Sequence, residues 1–139
     1  MKGEIKGKFF KSGQLETTDT PWGPMQWISR PGTTQANDIV VTIVDIAPGG
    51  YHNFHYHPGQ EEVIYLLDGT VEQWVENDKQ VMKKGDSVFI AKDIVHASFN
   101  IGKKTAKLFV VLGPSKGKTG YKAVDVSKRP AWKNARPVN

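Results

Sequence analysis

The sequence predicts an all-β protein, folded as a sandwich or a barrel. Short segments rich in β-branched and aromatic residues recur between residues 39 and 112, and clusters of Gly, Pro, Asn and Asp separate most of them. No window of residues 38–112 has the 3.6-residue apolar period of an amphipathic helix. The 139 residues, 38% of them apolar, are enough for one domain with a hydrophobic core.

The segments with strand character define the expected organisation of the chain. They are residues 39–46, 51–57, 62–67, 71–75, 88–91, 96–99 and 108–112. We therefore expect a barrel core over residues 38–113. The segment 1–37, with Trp22 and Trp27, is expected to add outer strands to it or to cross to a second subunit. Residues 114–139 form a basic tail, which Tyr121 and Trp132 could anchor to the same single domain.

The charge distribution argues against a nucleic-acid partner. Residues 1–112 carry a net charge of −1 and residues 113–139 a net charge of +6, so the tail accounts for the overall +5. A basic tail of this kind is typical of a solvated arm, and no helix-turn-helix or zinc-finger pattern accompanies it. We expect that the protein does not bind nucleic acid.

The composition also limits the compartment and the metal chemistry. Cysteine is absent, so a metal site must use nitrogen and oxygen ligands. No apolar run is long enough to span a bilayer, and the residues after Met1 lack the apolar stretch of a secretory signal. We therefore expect a cytoplasmic protein without a membrane partner.

A histidine pair is the feature of the sequence that points most directly to chemistry. His55 and His57 are two residues apart in a strand-like segment, so both side chains project from one face. The turn at Pro58-Gly59 then brings a carboxylate alongside, and His96 arrives from a distant strand. Three imidazoles and one carboxylate suit Fe, Mn, Ni, Cu or Zn as the divalent ion and leave coordination positions for a substrate.

The wider sequence around these histidines resembles the two motifs of the cupin superfamily. Residues 49–69 resemble the first motif, Gx5HxHx3–4Ex6G, and residues 85–100 resemble the second, Gx5PxGx2Hx3N. Fifteen residues separate the two motifs, as in compact single-domain cupins. The chain departs from the pattern at Ala91, where the family usually has proline, and at Asp93, where it usually has glycine. We expect a changed loop there and not a lost ligand, because Asp tolerates unusual backbone angles.

The resemblance implies a double-stranded antiparallel β-helix, the jelly-roll barrel of cupins, with one divalent transition metal held by His55, His57, Glu62 and His96. Strand parity alone does not decide between Glu61 and Glu62, since both faces of their strand are largely apolar. The family spacing from the ligand glutamate to Gly69 selects Glu62.

Strand parity also places residues around the expected site. Counted from His55, it predicts that Tyr51 and Asn53 face the metal while His52 and Phe54 face outward, so that His52 would be a ligand only if a bulge shifted it. The same reasoning puts Ser98 on the metal side with His96, and Gln73 inside with its neighbours of equal parity. The pocket candidates are therefore Tyr51, Asn53, Gln73 and Ser98, and no catalytic residue is singled out.

These features predict a metal-dependent enzyme that acts on a small oxygen-rich molecule. The resemblance implies a dioxygenase, isomerase, decarboxylase or lyase, with a slight preference for oxygenase chemistry, and a homodimer. The alternative is a non-catalytic cupin module that binds or senses a sugar-like ligand. A structural protein with a vestigial site ranks last, because a protein that does not use a metal need not keep all four ligands.

Overall fold

A computed structural model describes residues 3–136, and nearly all of its regular structure is β-strand. The elements are β1 (Glu16–Thr18), β2 (Met25–Ser29), α1 (Pro31–Thr34), β3 (Val40–Ile46), β4 (Tyr51–Tyr56), β5 (Glu61–Asp68), β6 (Thr70–Val75), β7 (Asp78–Lys83), β8 (Ser87–Ile90), β9 (His96–Asn100), β10 (Ala106–Gly113) and β11 (Val124–Asp125).

The strands form two antiparallel sheets that face each other. One sheet has six strands in the order β1-β2-β3-β10-β5-β8, and the other has five in the order β11-β4-β9-β6-β7. From β3 onward the chain passes repeatedly from one sheet to the other, apart from the hairpin of β6 and β7 within one sheet, and this makes it the double-stranded β-helix that the sequence predicts. The N-terminal strands β1 and β2 extend the larger sheet, and β11 of the tail extends the smaller one.

The main core lies between the sheets. Along β3 and β10 every second residue is buried, the period expected for a strand with one face on a core. Met25 and Trp27 of β2 belong to the same core, so the N-terminal strands help to close the barrel. The largest side chains fully buried in this core are Met25, Ile46, Leu66, Ile90 and Leu112.

A second apolar cluster covers the outer face of the five-stranded sheet. Phe54, Trp74 and Phe99 project from β4, β6 and β9, and Val126 of the tail packs among them. The Trp132 ring stacks on Phe54 with 5.1 Å between the ring centroids. The tail is therefore not the solvated arm that its charge suggests, at least as far as residue 136.

Gly69 makes the tight connection between β5 and β6 possible. Its φ is +93°, a backbone conformation that side chains with a Cβ rarely adopt. A Cβ placed there would also lie 2.7 Å from the Cα of Ala106, on the neighbouring strand β10. This position, the last of the first motif, needs glycine for both reasons.

One feature differs from the sequence analysis and one agrees with it. Strand β7 was not predicted, because Asp78–Lys83 is mostly polar and exposed and shows little apolar alternation. In the loop before β9, Asp93 adopts a φ of 66°, and its carboxylate accepts a 2.8 Å hydrogen bond from the backbone N–H of Gly59. The aspartate thus provides the left-handed turn in place of glycine and also fixes the loop that follows β4.

Candidate metal centre

The candidate ligands come from three strands and meet between the two sheets. His55 and His57 belong to β4 or its end, and His96 begins β9, the neighbour of β4, where it lies opposite His55. Glu62 reaches the same point from β5 of the opposing sheet. All four side chains are buried, at 1–5% exposure.

Backbone carbonyls orient the three imidazoles. Each imidazole has its Nδ1 atom close to a backbone carbonyl oxygen. Nδ1 of His55 lies 2.6 Å from the oxygen of Asn53, Nδ1 of His57 lies 2.8 Å from that of Lys122, and Nδ1 of His96 lies 2.9 Å from that of Ile94. When each Nδ1 carries the proton and donates it there, each Nε2 keeps a free lone pair. The three histidines have ring nitrogens that lie within 4.8 Å of one another. Three buried histidines arranged in this way could hold a metal ion.

The Glu62 carboxylate points at the same spot. Its Oε1 lies 2.8 Å from Nε2 of His96, and its Oε2 lies 3.5 Å from Nε2 of His57. Yet Oε1 of Glu62 and Nε2 of His57 and of His96 are buried, and within residues 3–136 they have no partner with hydrogen-bond geometry. Lone pairs that converge in this way repel one another unless a proton or a metal ion lies among them, and the donor set fits a divalent ion.

The electrostatics of the pair formed by Glu62 and His57 favour their charged forms. Burial acts to raise the pKa of Glu62, but His57 and His96 outweigh it and hold this pKa well below its usual range. Burial acts to lower the pKa of His57, but the Glu62 carboxylate outweighs burial and raises this pKa above its ordinary value. The pKa of His55 is lowered well below its ordinary value, by burial first and then by the neighbouring histidines. Glu62 is therefore an anion at neutral pH, as a metal ligand must be.

His52 faces the site, and the prediction that it faces outward was wrong. In the ladder between β4 and β9, His52 lies opposite Ser98 and His55 lies opposite His96. Two residues of β4 therefore oppose one residue of β9, which is a β-bulge, and the bulge reverses the parity before His55. The His52 ring stacks on His55 with 3.5 Å between centroids and on Trp22 with 3.8 Å.

The bulge also changes the position of two pocket candidates. Tyr51 lies opposite Phe99 and stacks on it on the outer face of the sheet, so its inward assignment was wrong. Asn53 is in the bulge itself, and its side-chain oxygen accepts a hydrogen bond from the N–H of Phe54. Both residues nevertheless line an open cleft beside the site.

The other two candidates lie inside the barrel as predicted. Gln73 and Ser98 are both buried, and the Ser98 hydroxyl donates a 2.6 Å hydrogen bond to Oε1 of Gln73. Ser98 also lines the small space around Glu62 and His96. Glu61, the alternative carboxylate, is exposed on the opposite face of β5 and has no contact with the histidine cluster among the described residues.

Two spaces adjoin the ligand cluster. The inner one, within the barrel, has a volume of about 20 Å³, room for little more than a water molecule. The outer one is a cleft of about 440 Å³ that opens to solvent. His52 and His55 line both spaces, so they form the boundary between them.

The sequence analysis missed the part that the tail plays at the site. Tyr121 packs edge-on against His57, with 5.0 Å between ring centroids. Burial, and then the Glu62 carboxylate, raises the pKa of Tyr121 well above its ordinary value, so its hydroxyl keeps its proton. Apart from the aromatic character of Tyr121, nothing in the sequence indicates that the tail returns to this point.

Comparison with known proteins defines the class. A family model described as "Cupin domain" matches residues 42–112, half of the chain, so the protein belongs to the cupin family. The match contains His55, His57, Glu62 and His96, but it leaves out Trp22 and the whole tail.

Individual relatives differ in what their names say they do. The chain is 38% identical over 71 residues to a germin-like protein from Morus alba, covering 48% of this chain and 34% of that protein. It is 28% identical over 79 residues to the pectin degradation protein KdgF from Dickeya dadantii, covering 56% of this chain and 72% of the relative. The oxalate decarboxylase of Lactobacillus farciminis superimposes with a TM-score of 0.70 at 25% identity, over 86% of this chain and 36% of that one. The chain thus spans about a third of the germin-like protein and of the decarboxylase.

No helix among residues 3–136 is both long enough and apolar enough to cross a membrane.

Proposed function

We propose that the protein is a metal-dependent enzyme that acts on a small oxygen-rich molecule. His55, His57, Glu62 and His96 are the proposed ligands of one divalent transition metal. The observation that carries the proposal is the convergence of buried ring nitrogens and a carboxylate from two opposing sheets. Nε2 of His57 and of His96 and Oε1 of Glu62 have no partner with hydrogen-bond geometry among residues 3–136. Burying such groups unpaired is costly, and a metal ion removes that cost.

The cleft beside the cluster supports catalysis over a purely structural metal. A closed structural site surrounds its ion with protein ligands, whereas a catalytic site keeps a position open to solvent or substrate. Here His55 lines the 440 Å³ cleft directly. A divalent ion held by these residues would act as a Lewis acid on a substrate oxygen, and a redox metal would also allow dioxygen chemistry.

The residues of the chain would position the ligands and the substrate. The carbonyls of Asn53, Lys122 and Ile94 fix the three ring orientations, an arrangement that typically makes metal sites tighter and more selective. The Ser98–Gln73 pair places a polar group on the inner wall that otherwise consists mainly of apolar side chains. Dioxygenase, isomerase, decarboxylase and lyase reactions are all compatible with this set, and dioxygenase-like chemistry remains our preferred choice.

Elemental analysis of the purified protein, followed by a turnover screen, tests the proposal. We expect about one equivalent of a first-row divalent metal, together with turnover of a small metabolite, monitored also by oxygen uptake. His57→Ala should abolish both, while Gln80→Ala, an exposed change on β7, should alter neither. Tight binding of a small molecule without turnover would instead support the alternative, a ligand-sensing module. A protein that binds no metal at all would refute the proposal.

We further propose that the protein is a cytoplasmic homodimer. The outer face of the six-stranded sheet exposes large apolar side chains, among them Val63 (41%), Tyr65 (42%) and Phe89 (57%). Val63 and Phe89 are direct neighbours in the ladder between β5 and β8, so they form one continuous surface. Light scattering should give twice the chain mass, and Val63→Lys should give the monomer mass. Cell fractionation tests the location.

A further inference from the structure

The position of the cleft decides where a substrate can bind. The inner space of about 20 Å³ cannot take a molecule much larger than water, because buried side chains fill the barrel around it. The cleft of about 440 Å³ falls within the usual range for small-molecule sites, and His52 and His55 form its floor. A substrate that reaches the candidate metal centre therefore contacts the walls of this cleft.

Half of the residues that line the cleft come from outside the region that defines the family. Trp22 belongs to the N-terminal segment, and Asp125 and Ser127 belong to the tail, whereas the family match covers residues 42–112. Asn53, in the bulge of β4, completes the polar lining. Residues of this chain outside the shared core thus help to determine which molecule fits.

The charge of the cleft is the second observation. Asp125 is the carboxylate on its wall, and among the described residues that line the cleft there is no lysine or arginine. Oδ1 of Asp125 accepts hydrogen bonds from the N–H and the hydroxyl of Ser127, at 2.7 and 2.6 Å. The carboxylate is thereby held in place, and its Oδ2 receives no hydrogen bond from any residue in the described range 3–136. That oxygen can accept from a ligand hydroxyl but repels a ligand carboxylate, and its negative charge offsets the net +1 of a divalent ion held by three neutral histidines and Glu62.

Two basic residues of the tail line a different surface. Lys116 and Lys122 line a separate groove with Tyr121, and none of the four proposed metal ligands lines that groove. An anion attracted to these lysines would not reach the metal centre by the cleft that His55 lines. These two lysines therefore do not make the substrate cleft cationic, and no basic residue of the described tail lines it.

We propose that the cleft takes a small, uncharged, hydroxyl-bearing molecule, and that Asp125 selects against carboxylate ligands. The inference rests on the proposed function only in assigning the metal centre to the floor of the cleft. The proposed ligand is uncharged, whereas oxalate, the substrate named for the oxalate decarboxylase, is a dianion.

Galactose and galacturonate are suitable probes, because they share the same ring. Galactose carries a hydroxymethyl group where galacturonate carries a carboxylate. Isothermal titration calorimetry on the Zn(II)-loaded protein should show that galactose binds more tightly than galacturonate. Asp125→Asn keeps the shape and the oxygen that accepts from Ser127, so it should reduce this preference about tenfold or more. Asp78→Asn, at an exposed position on β7, is the matched control and should leave the preference unchanged.

Three results would overturn the inference: tighter binding of galacturonate to the wild-type protein, no binding of either sugar, or a preference that Asp125→Asn does not change. The same titration on the metal-free protein separates this inference from the proposed function. If the protein binds no metal but still prefers galactose through Asp125, the proposed enzyme fails and the assignment of the cleft stands. If the protein binds metal but shows no preference for galactose, the assignment of the cleft fails and the proposed metal centre stands.

Discussion

The Nδ1 atom of His57 lies 2.8 Å from the backbone carbonyl oxygen of Lys122, 65 residues further along the chain. A segment outside the family core thus orients one of the proposed metal ligands. The geometry of the site consequently depends on how the tail is attached to the barrel, and three of the predictions below concern that attachment.

Gln60 is the residue that attaches the tail most directly. It is 1% exposed; its amide donates 2.8 Å hydrogen bonds to the carbonyls of Pro114 and Gly120, and its oxygen accepts one from the N–H of Lys122 at 3.3 Å. Gln60→Ala should lower the free energy of unfolding by about 2–4 kcal/mol, because it leaves buried backbone groups unpaired. It should also weaken metal binding about 10–100-fold, the usual effect of disturbing a group that orients a ligand.

Urea denaturation and metal titration by competition with a chelator measure these two effects. Gln80→Ala, on the exposed strand β7, should change neither quantity. Unchanged metal affinity in a destabilised Gln60→Ala variant would show that the tail does not control the site.

Glu62 and Glu61 form a natural matched pair for the carboxylate ligand. Glu62 is 5% exposed and faces the histidines, whereas Glu61 is exposed on the opposite face of β5. Glu62→Gln should lower the affinity for a divalent metal more than about 100-fold, beyond the typical effect of a residue that only orients a ligand. Glu61→Gln should leave it within about twofold. The measurement is again a chelator competition. The opposite ranking would move the site to Glu61.

Phe54 anchors the cluster between the five-stranded sheet and the tail. It is 1% exposed, its ring contacts Trp74 edge-on, and the ring of Trp132 stacks on it. Phe54→Ala should reduce the free energy of unfolding by about 3–5 kcal/mol through loss of burial and creation of a cavity. Phe9→Ala is the control, since Phe9 is 99% exposed and the change should stay within about 0.5 kcal/mol. Thermal or chemical unfolding, followed by tryptophan fluorescence, distinguishes the two variants.

The ion pair of Glu72 with Arg136 makes tail docking dependent on pH. Nε of Arg136 lies 2.6 Å from Oε1 of Glu72, which also accepts a hydrogen bond from the Trp74 indole. Burial acts to raise the pKa of Glu72, but the hydrogen bonds from Arg136 and Trp74 outweigh it and lower this pKa below its ordinary value. A depressed folded-state pKa stabilises the folded protein above the unfolded-state pKa of about 4.3, and this contribution is lost as the pH falls through the folded-state value.

Hydrogen exchange in residues 126–136 should therefore accelerate as the pH falls below about 4, once corrected for the intrinsic pH dependence of exchange. Glu72→Gln should weaken protection of this segment at pH 7 by less than about 1 kcal/mol, because the pair is partly exposed. In that variant, the additional loss of protection below pH 4 should be absent. An identical acid response of the variant and the wild-type protein would assign the effect to another group.

The sequence predicted the barrel well because its signals are local. Alternating burial in β3 and β10, the turn glycines and the spacing of the two motifs all lie within short stretches of chain. The sequence did not indicate strand β7, because the residues of this strand are mostly polar and exposed.

The prediction that was wrong is the facing of the β4 residues before the bulge, Tyr51 and His52. Whether the strand carries a bulge at Asn53 depends on its register with β9, more than 40 residues away. Parity counted along one strand cannot detect an inserted residue. The structure therefore reverses the faces of Tyr51 and His52, while His55 and His57 keep theirs.

By itself, the sequence determined the fold and the four candidate ligands, since hydrophobic period and motif spacing are properties of neighbouring residues. Only the tertiary structure decided that His52 joins the site and that Gln60 and Lys122 attach the tail to it. Only the tertiary structure showed, as well, that Trp22 and Asp125 form the walls of the cleft. These relationships join segments distant along the chain, and packing of the whole barrel, not any local preference, brings them together.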